Sequence, residues 1–373
     1  MREAMQHEFI SHDGTRLFYR TWPASGTAKR AIVLFHRGHE HSGRWQDVVD
    51  GLDLADMAMF AWDARGHGRS PGQRGYAPSF GTLVRDADAF VRHVSHAYGI
   101  PMENIVVLGH SVGSGSAATW VHDYAPPIRA LVLGSPALRI RLYVPFAIPA
   151  LRLWQRLKVK AFVRSYVKGR LLTRDPEKQR SYDEDPLIAP AIAVNILLGV
   201  HDAGTRLIQD AAAITVPTLV LTSGADFVVD RAAQRIFFDR LGAAEKAMHV
   251  FPGFLHDTFN ERDNHLPIAM ARQFIRDAFA YQARPPCLLS ADRDGPTYRE
   301  YQALAAPLPR WSPRRLGYAV TRALLATIGR LSDGVRLGWR RGFDSGAMLD
   351  YVYRDRASPG CRDRPGRSAG RAE

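Results

Sequence analysis

The sequence predicts an α/β protein with a mostly parallel central sheet, helices on both faces and an inserted helical cap. Three observations lead there. Short, near-continuous apolar runs alternate with helical patterns, as expected of parallel strands buried on both faces. One of them, Ile105-Val106-Val107-Leu108, runs straight into Gly109-His110-Ser111-Val112-Gly113 and then into small helix-forming residues, which reads as strand, sharp turn and helix. After Ser135-Pro136 the strand rhythm stops and resumes only at Ile214-Thr215-Val216-Pro217, a gap too long for a simple crossover and with helical patterns of its own.

The elements follow in order. Glu8-Phe9-Ile10-Ser11 and Leu17-Phe18-Tyr19-Arg20-Thr21-Trp22 flank the turn residues His12-Asp13-Gly14-Thr15 and predict a β-hairpin. Strands are then expected at 31–35, 57–62, 105–108, 130–133, 218–221 and 248–251. The resulting division is a core in two parts, 1–136 and 215–283, around a cap at 137–214. Beyond Ala283-Arg284-Pro285-Pro286 lysine disappears while arginine continues, which marks a basic C-terminal extension over 284–357. Within it Leu316, Val320, Leu324, Ile328, Leu331 and Val335 recur at helical spacing, so 314–341 is expected to form an amphipathic helix. Residues 358–373, rich in Arg, Gly, Pro and Ser, are expected to be disordered.

Composition narrows the classes. A chain of 373 residues holds one large α/β domain and a modest extra segment. Its two cysteines, Cys287 and Cys361, form neither a disulfide framework nor a zinc cluster, which fits a reducing compartment. The start, Met1-Arg2-Glu3-Ala4-Met5-Gln6-His7-Glu8, has no apolar export signal, and no stretch reaches the roughly 18 apolar residues of a spanning helix. A cytoplasmic chain is expected. The net charge of +13 favours an anionic partner. Nucleic acid is not expected, for want of a motif that would place the basic residues. The first half of the cap, 138–174, contains no acidic residue and interleaves Arg and Lys with Leu, Ile, Val, Phe and Trp. That pattern suits peripheral contact with an anionic membrane at its inner face. A solvated cap whose arginines lie over apolar neighbours is the alternative.

The chemistry follows from the turn at Ser111. A serine hydroxyl needs a base to take its proton and an acid to orient that base. In a strand-turn-helix architecture these partners come later in the chain. Asp226 lies just beyond a strand in Thr218-Leu219-Val220-Leu221-Thr222-Ser223-Gly224-Ala225-Asp226, with Asp230 close enough to compete. His256 lies in the loop after the last core strand. Ser111, His256 and Asp226 are therefore the candidate nucleophile, base and acid. The developing oxyanion needs two N–H donors. Val112, which starts the helix, is the first candidate. The second is sought in the loop His36-Arg37-Gly38-His39-Glu40-His41. Its histidines also suit a metal, but no second carboxylate partner stands beside them, so neither metal nor cofactor is expected.

These motifs resemble those of the monoacylglycerol lipase and lysophospholipase branch of the α/β-hydrolase fold, grouped with the serine aminopeptidases. The resemblance covers about 8–281 and rests on Gly109 to Gly113, on EHSGRW at 40–45, on DARGHGRS at 63–70 and on RDPEKQRSYDEDPL at 174–187. It implies an α/β-hydrolase fold, a serine hydrolase cleaving a monoacyl lipid ester, the triad Ser111, Asp226 and His256, and oxyanion donors on Gly38 and Val112. Arg37 departs from it, standing where the family has glycine. If that position needs φ > 0 the loop is reshaped. Alternatively Arg37 faces the pocket and binds an anionic headgroup, with His110 as a further candidate substrate contact. A peptidase or other carboxylesterase of the same fold, and a catalytically weak module that binds membrane or partner, are the competing readings. Residues 338–353 resemble the connector in bacterial hydrolase–methyltransferase fusions, and a partner protein for the extension is one expectation. No glycine-rich cofactor loop follows, so no methyltransferase half is expected here.

Overall fold

The computed structural model describes residues 1–157, 160–280 and 353–356. The strands are β1 Met5–Ile10, β2 Arg16–Trp22, β3 Ala31–Phe35, β4 Ala58–Trp62, β5 Ile105–His110, β6 Ala130–Gly134, β7 Phe162–Arg164, β8 Ala191–Ala193, β9 Thr218–Ser223, β10 Glu245–Phe251 and β11 Tyr353–Arg356. The helices are α1 Gln46–Leu52, α2 Phe80–Tyr98, α3 Val112–Tyr124, α4 Ala147–Leu157, α5 Gly169–Leu172, α6 Pro176–Asp183, α7 Val194–Gln209, α8 Arg231–Arg240 and α9 His265–Ala280. The main sheet has the order β1-β2-β4-β3-β5-β6-β9-β10-β11. β1 and β2 form the expected hairpin, β2 joins β4 antiparallel, and the strands from β4 to β10 are parallel. β11 adds an antiparallel edge to β10.

Period and burial agree in the central strands. β3, β4, β5 and β6 are buried at every position, which is why they read as unbroken apolar runs rather than as alternation. The two faces carry two apolar clusters. Val33, Phe35, Val107, Leu131 and Leu133 pack with α2 and α3, while Ile32, Leu34, Val106, Leu108 and Val132 pack with α1 and α9. The parallel strands all end at one edge, the usual place for a site in an open α/β sheet.

The segment expected as cap divides in two. α4 to α6 and the small antiparallel sheet β7–β8 lie outside the main sheet. α7 packs on both sides: its Val194 and Leu198 cluster with Ala161 of this segment. Its Ile196, Val200, Ala203, Leu207 and Ile208 join the same apolar cluster as Phe90, Trp120 and Phe237. α7 thus links the cap segment to the core. No described helix is long and apolar enough to cross a membrane. The expected amphipathic helix at 314–341 and the tail at 358–373 lie outside the described residues.

Candidate active site

Ser111 directly follows β5 and caps α3 with φ 53° and ψ −114°, a conformation that side-chain-bearing residues rarely adopt. The two glycines flanking it explain how the chain holds that turn. A Cβ on Gly109 would stand 2.7 Å from the backbone N of Ser114, and one on Gly113 would stand 2.3 Å from the carbonyl of Phe35. Strand and helix approach too closely for any other residue. The Ser111 N–H donates to the Gly134 carbonyl at 2.8 Å, which ties the turn to β6.

His256 Nε2 lies 2.8 Å from Ser111 Oγ, and its Nδ1 lies 2.8 Å from Asp226 Oδ2. All three residues are at most 3% exposed. Asp226 Oδ1 accepts the N–H groups of Val228 at 2.7 Å and Val229 at 3.0 Å. Burial pushes the Asp226 carboxyl up, but His256 and these two donors outweigh it and hold the group below its ordinary value. An ionised carboxylate can only accept, so Nδ1–H donates to Asp226 and Nε2 is left to accept the serine proton. Asp230 is occupied elsewhere: it caps α8 by accepting the Ala232 N–H at 3.0 Å.

The loop after β3 faces the start of α3. A side chain on Gly38 would meet Val112 Cγ2 at 2.9 Å, so the backbones of the two expected oxyanion donors are neighbours. Arg37 is not the strained position. The Arg37 carbonyl accepts the Glu40 N–H at 3.2 Å, closing a turn whose third residue, His39, carries φ 72°. The positive φ thus falls two residues beyond Arg37. His36 Nδ1 donates to the Arg37 carbonyl at 2.7 Å and His36 Nε2 accepts the Ala64 N–H at 2.9 Å. Asp63 braces the same loop by accepting from Ser42 N–H at 2.6 Å and Arg69 N–H at 2.7 Å. These bonds are the physical content of the 63–70 motif.

Arg37 itself is buried. Its Nη2 donates to Glu40 Oε1 at 2.7 Å, stands 3.9 Å from Asp257 Oδ2, and its guanidinium lies over the ring of Tyr182 from the cap. Arg44 Nε stands 3.2 Å from the same Glu40 oxygen. His41 Nε2 pairs with Asp185 Oδ2 at 2.8 Å while its Nδ1 accepts the Gly43 N–H, so both ring nitrogens have protein partners. His110 packs against the histidine loop, with Nε2 donating to the His256 carbonyl at 3.2 Å and Nδ1 3.7 Å from Asp257. The cap docks on that loop too: Asp257 N–H donates to the Leu172 carbonyl at 2.7 Å, and Thr173 Oγ1 to the Asn260 carbonyl at 2.7 Å. Sequence reasoning does not single out Asp257, Glu40, Tyr182 or the buried hydroxyls of Ser135, Ser223 and Thr258. No spacing rule relates residues brought together from four loops.

Burial pushes His39 and His110 down to about 4, His67 down to about 3, and His36 down as well. The unfolded chain binds protons below about pH 6.5, whereas the folded protein refuses them until nearer 4. Stability is therefore complete above the unfolded value and lost as pH falls through that window. The urea midpoint is expected to drop between pH 7 and pH 5, by the equivalent of at most about 2 kcal/mol for each such histidine. An unchanged midpoint would show that these imidazoles are accommodated charged.

Fold and site together define an α/β hydrolase of the serine-hydrolase type. The chain belongs to the family described as serine aminopeptidase S33, whose model matches residues 26–263. It is similar to the monoacylglycerol lipase of Mycolicibacterium smegmatis, 30% identical over 70% of this chain and 93% of that protein. It is 49% identical to the uncharacterized protein YnbC of Escherichia coli over 94% of this chain, which spans only 60% of YnbC. Among solved structures, the Paleococcus ferrophilus monoacylglycerol lipase matches with a TM-score of 0.63 and 25% identity, covering 74% of this chain and 99% of that one. A second family model, whose description names a methyltransferase, matches residues 271–371, in keeping with the resemblance of 338–353 to a fusion connector.

Proposed function

We propose that this protein is a serine esterase that cleaves a monoacyl lipid, either a monoacylglycerol or a lysophospholipid, through an acyl-enzyme. The observation that carries this reading is the continuous hydrogen-bonded line from Ser111 Oγ through His256 to Asp226, buried beneath an apolar, basic cap. Ser111 attacks the ester carbonyl as His256 Nε2 takes its proton, and the Asp226 carboxylate stabilises the imidazolium that forms. The carbonyl oxygen becomes an anion received by the N–H groups of Val112 and Gly38. His256 returns the proton to the leaving alcohol. Water, activated by the same imidazole, then attacks the acyl-enzyme and releases the fatty acid. The named function of the mycobacterial relative supports a glycerolipid substrate.

Peripheral membrane contact belongs to the same reading. Phe146 is 84% and Leu157 78% exposed at the two ends of α4, with Leu153 and Trp154 between them, and Arg156 lies on the same helix. Apolar side chains beside arginines suit the interface of an anionic bilayer. One experiment tests both parts: fluorophosphonate labelling at Ser111, followed by hydrolysis of monoacylglycerols, lysophospholipids, p-nitrophenyl esters and aminoacyl amides, with the lipids in neutral and in anionic vesicles. Labelling, a preference for monoacyl lipids and faster turnover in anionic vesicles are expected. Amide cleavage outpacing ester cleavage would replace the esterase by a peptidase, and absence of labelling would leave a binding module.

A further inference from the structure

We propose that Arg37 is a positioning residue, which sets the oxyanion loop against the histidine loop by placing one buried cation between Glu40 of the first and Asp257 of the second. The proposal rests on the esterase reading above.

The 37–38 peptide is the connection that matters. A trans peptide is planar, with its C=O and N–H pointing in opposite directions. The Arg37 carbonyl is held by His36 Nδ1 at 2.7 Å and the Glu40 N–H at 3.2 Å, so the direction of the Gly38 N–H is settled by what holds Arg37. The Arg37 side chain extends that hold beyond its own loop. Its guanidinium reaches Glu40 at 2.7 Å and Asp257 at 3.9 Å, and the cap closes over it with Tyr182 at 4.8 Å from ring centre to guanidinium carbon. Asp257 directly follows His256, so the same cation stands one residue from the base and one residue from the oxyanion donor. At 3% exposure it has no room to reach a headgroup without withdrawing from both carboxylates, which are themselves buried. A glycine at this position would give the turn no such link.

The chemistry of Glu40 offers an independent readout. Burial pushes its carboxyl up, but Arg37 first and Arg44 second outweigh burial and hold it down, with His110 also facing it. Without Arg37 only Arg44 remains as a full cation beside it.

The test compares wild type, Arg37→Met, Arg37→Lys and Glu40→Gln by thermal melting, fluorophosphonate labelling rate, and kcat and KM on a p-nitrophenyl ester and a lysophospholipid. Arg37→Met is expected to lower kcat and labelling rate about 10- to 100-fold, equally on both substrates and with KM nearly unchanged. It should also add an acid-side step to the pH profile, while Arg37→Lys recovers most of the rate. A folded Arg37→Met with wild-type kcat overturns the proposal. So does a loss confined to KM for the phosphate-bearing substrate, which would make Arg37 a headgroup ligand. If Arg37→Met fails to fold, Glu40→Gln decides: a reduced kcat supports the linkage and an unchanged one ends it. Failure of wild type to label would instead remove the esterase reading itself.

Discussion

Ser111→Ala is expected to lower kcat by about a millionfold while the protein stays folded. Both residues carry a Cβ, so the strained backbone at φ 53° is equally costly before and after the change. What is lost is one oxygen, the atom 2.8 Å from His256 Nε2. The only stability term is that hydrogen bond, worth about 1 kcal/mol net. Turnover and thermal melting of the same preparation separate the two effects. A folded variant retaining a tenth of wild-type turnover would remove Ser111 from the reaction.

Asp226→Asn is the second large effect, about ten-thousandfold in kcat by analogy with other triads of this geometry. The amide oxygen can still accept the Val228 and Val229 N–H groups, so the loop keeps its shape. Toward His256 the amide presents a donor where the carboxylate accepts. The imidazole then carries its proton on Nε2, faces Ser111 as a donor and cannot act as base. Asp230→Asn provides the contrast: asparagine caps a helix as well as aspartate does. Its activity should match wild type, and equal losses in the two variants would take the role of acid away from Asp226.

Much of the architecture is legible in the sequence alone. Hairpin, central strands and elbow announce themselves because burial on both faces demands unbroken apolar runs, and because an added Cβ on Gly109 or Gly113 would meet backbone atoms at 2.7 and 2.3 Å. The end of the cap is not legible in the same way. α7 has the helical period of its neighbours, and only its packing shows that it meets the core through Val200 and Leu207 and the cap segment through Val194 and Leu198. Similarly, an arginine in place of glycine in an oxyanion loop suggests strain at Arg37. The left-handed residue is His39 instead, the third residue of the turn closed from the Arg37 carbonyl to the Glu40 N–H.

The sequence by itself determined the fold class, the chain order of the candidate nucleophile, acid and base, and the place of the candidate oxyanion loop. Each of these depends on local signals: period, flanking glycines, and position just beyond a strand. Tertiary structure alone showed what each of two carboxylates four residues apart touches: Asp226, the acid expected from the sequence, meets His256, and Asp230 caps α8. It also gave Arg37 its partners. Glu40 is near in sequence, but Asp257 and Tyr182 come from other loops, and a buried ion pair is defined by which charges meet once water has been excluded.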